Sequence, residues 1–413
     1  MRVSHLFTKT TKNAPADEVS KNAQLLIRGG YISKEMAGVY DYLPLGKRVL
    51  EKITQIIREE MNAIGGNEIS LTALQNSEPW KASGRWDDEV LDVWFKTKLA
   101  NGTELGLAPT HEEPLTKLMK TYIQSYKDLP VYPYQFQIKF RNEIRSKSGL
   151  MRGREFWMKD LYSFSRTQEE HDSFYDGAVS DAYARVFERL GLGAITYRTF
   201  ASGGSFAKFS HEYQTLSPVG EDTIYVHKEK GIAINEEVYT DEVLADLGIT
   251  KDELVEEKAV EVGNIFTLGT RFSDPLELNF TDENGESKPV VMGSYGIGPS
   301  RLMGLIAEHF ADDKGLVWPE NVAPFKVYLV SIGDVKTQAD ALYDDLTAKG
   351  IEVLYDDRDE RAGAKFADAE LLGIPYRVTV SERLVADQKI EFTPRATGES
   401  EVLTGEDLLA KLG

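Results

Sequence analysis

Two runs of alternating residues, Tyr132 to Phe140 (YPYQFQIKF) and Phe156 to Phe164, flank a basic, glycine-containing segment. Apolar or aromatic side chains at every second position are the signature of half-buried strands. Gly149 and Gly153 lie between the runs, so the spacing predicts an antiparallel pair closed by a long loop over Ile144 to Gly153. From Lys139 to Arg166 there are eight basic residues (Lys139, Arg141, Arg145, Lys147, Arg152, Arg154, Lys159, Arg166). Only Glu143, Glu155 and Asp160 oppose them, a local net of +5 in a chain of net −19. Guanidinium forks bind phosphate with paired hydrogen bonds, so an arginine-rich hairpin in an acidic protein points to a phosphate-bearing ligand.

Around that hairpin the pattern is mixed. Leu45, Val49, Ile53, Ile56, Ile57, Met61 and Ile64 recur at helical spacing before Gly65-Gly66, and Asn67 to Ala73 reads as a strand. His171 to Leu190 reads as one amphipathic helix. Glu221 to Val262 holds thirteen acidic residues against four lysines, and TDEVLADLGITKDELVEE reads as an acidic helical excursion on the surface. Leu276 to Phe280 and Pro289 to Met292 are strands about an ENG turn, and GSYGIGPSR leads into a helix over Leu302 to Phe310. After the Pro-punctuated Pro319 to Phe325, KVYLVSI, a helix over Thr337 to Lys349, IEVLYDD, a helix over Lys365 to Leu372 and YRVTV alternate as βαβαβ, a small α/β domain.

The chain has no cysteine, which excludes disulfides and thiolate metal sites and fits a reducing cytoplasm. No run approaches the ~20 apolar residues of a membrane span, and the N-terminus has no secretory pattern. Walker-type and G-x-G-x-x-G loops are absent, as is H-E-x-x-H. The segments APTHEEP (Ala108 to Pro114), SGGSFAKFSHEYQT (Ser202 to Thr215) and GSYGIG (Gly293 to Gly298) read equally as cleft linings and as turns or caps. THEE has the form of a capping box, with Thr110 as cap and Glu113 three residues on.

PLG at a helix entry, FRNE…R…REF on the hairpin and GIGPSR entering a helix resemble, in order, the three motifs of class II aminoacyl-tRNA synthetases. LPLGKRVLEKI, LAPTHEEP, GLMRGREFWMKDLYSF, FSHEYQ, VEVGNIFTLGT, GLVWPENVAPF and YDDRDERAGAKFADAELLGIP resemble the bacterial-type prolyl-tRNA synthetase family over nearly the whole chain. The resemblance implies an α+β fold: an antiparallel-sheet catalytic domain (1–215 and 263–320), a short acidic insertion (216–262) and an anticodon-binding α/β domain (325–413). The motifs fall at about 40–64, 136–164 and 293–310.

It also implies ATP-dependent ligation of L-proline to tRNA(Pro) by a cytoplasmic homodimer, with Pro44 at the subunit contact. Mg²⁺ would accompany ATP, with Glu212 a weaker carry-over as its ligand, and no zinc is expected. By motif position, Arg141 meets the proline carboxylate and the α-phosphate, Glu143 the adenine amino group and Arg152 the outer phosphates. Phe156 and Arg301 sandwich the adenine, and Gln214 lies near ribose or metal. Thr110, Glu112 and His211 line the proline pocket over Ser294 and Gly296. Met158, Tyr162 and Phe164 read as its wall or as strand core. Arg358, Arg361 and Lys365 read as anticodon contacts or as surface ion pairs. The loop RSKSG lacks the family's frequent proline, SFAKFSHEY departs from the usual approach to SHEF, and 216–262 is too short for an editing domain. Sister class II enzymes for threonine or glycine, and a non-catalytic paralogue, are the rival readings.

Overall fold

A computed structural model describes residues 1–146, 148–204 and 208–413. Its centre is a nine-stranded sheet built on the hairpin. The participating elements are α1 (Pro44–Ala63), β1 (Asn67–Glu68), β2 (Pro133–Phe140), β3 (Glu155–Ser165), β4 (Thr196–Ser202), β5 (Phe209–Leu216), β6 (Asp222–His227), β7 (Ile232–Asn235), β8 (Val255–Gly269), β9 (Val291–Ile297) and α2 (Pro299–His309). The strand order is β5-β4-β7-β6-β8-β9-β3-β2-β1. β2 and β3 pair antiparallel from Tyr134↔Leu161 to Phe140↔Glu155, as the alternation predicts.

One face of the sheet is closed by α1, α2 and the helical run from Gln168 to Arg189. Leu45, Val49, Ile53, Ile57 and Met61 of α1 are buried there with Leu161, Tyr295 and Ile297 of the sheet. Fully burying an aliphatic side chain stabilises by roughly 1.5–3 kcal/mol, so this apolar stripe is what holds α1 down. The predicted helix over His171 to Leu190 is real but not uniform: a π-helical stretch, Phe174–Val179, interrupts it. That widened turn carries Tyr175, whose hydroxyl lies 2.9 Å from His211 Nδ1.

The acidic stretch departs from expectation. Only Asp241–Leu247 is α-helix, and most of the remainder is β6, β7 and the first half of β8. β5 pairs with β8 as well as with β4, so β8, β5, β4, β7 and β6 close on themselves. Ile224, Val226, Ala233 and Ala259 form a small core within that ring. Charge density hid the pattern: the acids lie mostly in the turns and in the short helix between the strands, while β6 (DTIYVH) and β7 (IAIN) are themselves largely apolar but only six and four residues long. Two shorter corrections follow. The strand expected over Asn67 to Ala73 is paired only at Asn67–Glu68, and the Gly-rich GSYGI is itself strand β9.

A separate three-stranded sheet (Leu74–Asn76, Phe95–Lys98, Glu104–Leu107) with the helix Ser77–Ala82 stands over the opposite face. In the C-terminal unit Val353–Asp356, Val327–Ile332 and Tyr376–Ser381 are parallel in that order. Two antiparallel strands the alternation did not reveal, Lys389–Pro394 and Glu401–Thr404, extend it. Residues from both units share one apolar cluster, in which Leu371, Leu372 and Ile374 of the C-terminal unit join Leu316, Trp318 and α1 residues of the N-terminal one.

Candidate active site

Register decides which side chains meet. Across the sheet Tyr162 lies opposite Ser294, Asp160 opposite Gly296, Gly296 opposite Asn264, and Asn264 opposite Glu212. Paired residues of neighbouring strands project to one face, so Phe156, Met158, Asp160, Tyr162, Ser294, Gly296, Asn264 and Glu212 form a single floor.

At one end of that floor sits Glu112, buried at the start of the helix Glu112–Met119. Its Oε2 accepts from Thr110 Oγ1 at 2.6 Å and from Arg85 Nη1 at 3.3 Å. Tyr162 and Ser294 hydroxyls approach Oε1 at 3.5 Å each, longer than a good hydrogen bond. The capping box does not form: the helix cap is His111, Thr110 bonds Glu112, and Glu113 bonds Ser83 and Arg85. Burial, against Arg85 but aided by Glu112, pushes the Glu113 carboxyl up to about 7.

Beneath Glu112 runs a buried polar chain. Lys139 Nζ is 2.8 Å from the Asp160 carboxylate and 2.5 Å from His111 Nδ1, while His111 Nε2 meets the Thr72 carbonyl at 3.1 Å. Tyr162 donates to Asp160 at 3.1 Å, and the His111 amide donates to Tyr162. Burial, then the Lys139 charge, pulls His111 down to about 4. Burial penalises the Asp160 carboxylate, but Lys139 more than offsets this and holds its pKa below the ordinary value.

At the other end is a cleft of about 270 Å³ lined by Arg141, Glu143, Arg152, Phe156, Met158 and Arg301 among others. Arg141 lies 5.3 Å from the Phe156 ring centroid, a cation–π arrangement. Burial and then the nearby Arg301 depress its pKa, against the opposing charges of Glu261, Glu143 and Glu112. Arg301, near the start of α2, donates to the Met151 and Glu261 carbonyls at 2.8 and 2.5 Å. It thereby ties the hairpin loop to β8. Arg152 is paired with Glu143 at 2.9 Å and with Glu221 at 3.3 Å. Gly296 faces this space: a Cβ there would sit 2.9 Å from Asn264 Oδ1 and 3.6 Å from Met158 Sδ. Gln214 Nε2 bonds Glu212 and Asp222, and burial followed by the Glu261 charge pushes Glu212 up to about 7.

One placement differs from the sequence reading, that of His211, and two bear on alternatives the sequence left open. His211 is in register with Ile265, and through it with Tyr295 and Leu161, on the helix-covered face, where Tyr175 bonds it. The structure does not bring it to Glu112. Phe164 is fully buried with Leu115, Phe272 and Met292, so it is core. Arg358 is bound by Asp356 at 2.6 Å and Asp368 at 2.7 Å, and buried Lys365 donates to the Ser331 and Asp356 carbonyls. Of that trio only Arg361 is exposed. Lys147 of the basic island, and residues 205–207 before FSHEY, lie outside the described residues.

Arg85 was missed in the sequence. The helix Ser77–Ala82 stops at Gly84, with φ of 78°, and Arg85 N bonds Trp80 O while Gly84 N bonds Lys81 O. That Schellman closure reverses the chain and aims Arg85 at Glu112. The signal was S-G-R after a short helix, which says nothing about the target.

Two buried histidines make stability pH-dependent. His111 and His211, the latter lowered by burial and then Arg198, both sit at about 4 against an ordinary 6.5. A folded pKa below the unfolded one means that the unfolded chain takes protons first as pH falls. Their contribution is therefore full above about 6.5 and declines toward 4, by about 1.4 kcal/mol per pH unit per histidine. Urea unfolding between pH 7 and 5 should show a smaller slope for His211→Gln than for wild type; equal slopes would contradict this assignment.

The arrangement is that of a class II aminoacyl-tRNA synthetase: an antiparallel sheet with an arginine-rich hairpin, a glycine-rich strand and an arginine at the next helix entry on one face. Comparison with known proteins agrees. The tRNA synthetase class II core domain (G, H, P, S and T) matches residues 95–310, and the anticodon binding domain matches 326–413. Proline--tRNA ligases of Hyphomonas neptunium and Agrobacterium fabrum are 40% and 39% identical over 441 positions, covering 100% of this chain and 99% of theirs. The prolyl-tRNA synthetase of Cryptosporidium parvum, solved with L-proline and AMP, superposes with a TM-score of 0.76 at 18% identity, over 95% of this chain and 73% of that one. At that identity the likeness is one of fold. The chain belongs to the proline--tRNA ligase family.

Proposed function

We propose that this enzyme joins L-proline to tRNA(Pro) through a prolyl-adenylate made from ATP, releasing AMP and diphosphate. The observation that carries the reading is the adjacency, on one sheet face, of the Glu112 pocket and the Arg141–Phe156–Arg301 cleft. Proline's secondary ammonium has two N–H donors, and Glu112 with Thr110 supplies oxygen acceptors. Gly296 leaves room for the ring, with Ser294, Tyr162 and Met158 around it.

The proline carboxylate then attacks the α-phosphorus and diphosphate leaves. No proton need be abstracted, so the protein's work is alignment and neutralisation of charge. Arg141 lies where both the attacking carboxylate and the α-phosphate would meet it. Phe156 and Arg301 offer stacking surfaces for the adenine. Arg152 must exchange Glu143 and Glu221 for the outer phosphates, which releases Glu143 to accept from the adenine amino group. Glu212 and the Gln214 carbonyl oxygen, a buried acceptor with no partner among the described residues, fit a Mg²⁺ that takes its remaining oxygens from ATP and water. When bound, Mg²⁺ would neutralise phosphate charge. Among the described residues no three acidic or histidine side chains form a cage for a metal by themselves.

Residues 1–320 would then be the catalytic unit and 325–413 the tRNA-binding one, with Arg361 the exposed candidate for anticodon contact. Residues 216–262 contribute strands to the catalytic sheet, and Asp222, Glu221 and Glu261 border the nucleotide cleft. A segment so used leaves little chain for hydrolysing mischarged alanyl-tRNA in cis. A homodimer in the cytoplasm goes with this reading, and no helix among the described residues is long and apolar enough to cross a membrane. ATP–pyrophosphate exchange with proline, alanine, cysteine, threonine and glycine side by side tests it. Exchange should be strongest with proline; exchange with threonine or glycine but not proline would overturn it.

A further inference from the structure

Among the described residues, the three-stranded sheet over residues 74–107 adds none to the lining of the nucleotide cleft, yet it delivers one charge to the amino-acid end. We propose that Arg85 is a positioning residue for proline recognition: it commits one oxygen of Glu112, so that the other is presented to the substrate ammonium. This rests on the reading that Glu112 receives that ammonium.

The geometry is asymmetric. Oε2 of Glu112 is taken by Thr110 at 2.6 Å and Arg85 at 3.3 Å, whereas among the described residues Oε1 has the two 3.5 Å contacts from Tyr162 and Ser294. A free carboxylate turns about its terminal torsion, and a partial turn would swing both equivalent oxygens away from the direction of the ammonium. Fixing one oxygen removes that freedom before substrate arrives, the general route by which pre-organisation raises affinity.

Arg85 is itself immobilised. Its carbonyl accepts from Trp94 Nε1 at 3.0 Å, and its guanidinium lies 5.1 Å from the Trp80 ring and 5.3 Å from Phe272. Trp80 packs edge-on against Trp94 with centroids 4.6 Å apart. The Schellman turn at Gly84 and this tryptophan pair account for the side chain's direction. Arg85 is 6% exposed and reaches the pocket from outside the sheet that forms the floor.

The same Nη1 also holds Glu113, at 3.1 and 3.2 Å, and Glu113 is fully buried. One guanidinium therefore keeps two adjacent buried carboxylates apart and oriented. Without it, Glu113 would remain a second buried carboxylate beside Glu112, held by Ser83 and repelling the charge that Glu112 must keep. Burial with Glu112's repulsion already pushes Glu113 up to about 7 while Arg85 is present. This makes Glu113 the partner through which a positioning role can be separated from mere packing.

The test is steady-state pyrophosphate exchange on the full-length enzyme, with proline and ATP varied separately. Arg85→Gln should raise the proline KM about 10- to 100-fold, the worth of a charged hydrogen bond, with the ATP KM within about twofold. Adding Glu113→Gln should recover part of the proline KM, because the stranded carboxylate is gone. A proline KM unchanged in Arg85→Gln, or proline and ATP KM rising together with no recovery in the double variant, overturns the proposal. If Arg85→Gln does not fold, Arg85→Lys gives the same reading: proline KM raised and ATP KM unaffected, against no change in proline KM. Glu112→Gln separates the two levels. A normal proline KM there defeats the Glu112 reading itself, whereas a raised one beside a normal Arg85→Gln defeats only the role of Arg85.

Discussion

Replacing Arg141 with alanine is expected to lower proline-dependent pyrophosphate exchange by about a thousandfold, the upper range for removing one pre-organised donor at a charge-developing centre. Thermal stability should hardly change. The guanidinium makes only a long 3.4 Å contact to the Pro109 carbonyl and a face contact with Phe156, and among the described residues no carboxylate pairs with it. Its neighbour Arg301 repels it. A side chain placed against like charge, without a partner of its own, serves a ligand better than it serves the fold. Arg301 differs, because its bonds to Met151 and Glu261 hold loop to strand. Exchange within tenfold of wild type in Arg141→Ala would show that the hairpin's charge is not directed at the reacting phosphate.

The second large effect concerns stability. Lys139→Met should cost about 3–5 kcal/mol, the usual penalty for stranding one partner of a buried ion pair. Lys139 and Asp160 are 1% and 5% exposed, and among the described residues the ammonium is the one lysine or arginine charge in contact with that carboxylate. Gln135 and Tyr162 remain as donors to Asp160, but neither carries charge. Asp160→Asn in the Lys139→Met background should restore much of the loss, since a neutral amide no longer needs the cation. Urea unfolding of the single and double variants measures both numbers. A loss below about 1 kcal/mol, typical of an exposed pair, would mean that water reaches Asp160. Because the Lys139–Asp160–Tyr162 chain also supports His111 and Glu112, the single variant should weaken proline binding as well.

Much of the site was legible in order along the chain. The hairpin strands declared themselves by alternation, and Arg141, Glu143, Arg152 and Phe156 follow from its motif. Arg301 follows from the glycine-rich approach to α2. What misled was always local. Phe164 and Tyr162 have the same spacing and face, but one sits under the Leu115–Phe272–Met292 cluster and the other under Glu112. Arg358 lies in a run of acids, and spacing left it open between an anticodon contact and an ion pair; in the fold Asp356 and Asp368 enclose it. The acidic stretch 216–262 looked like a solvated helix because composition outweighed its short β periods.

The sequence by itself determined the class of fold, the arginine-rich hairpin and the family, because these rest on periodicity and on ordered motifs that survive without knowledge of contacts. The tertiary structure alone decided three things. It put His211 on the covered face through a strand register that no spacing encodes. It closed five strands into a ring through the second pairing of β5. It brought Arg85 to Glu112 across a turn whose glycine sets the direction but not the destination. Register, closure and approach between segments depend on which surfaces are buried together, and that is a property of the whole packed chain.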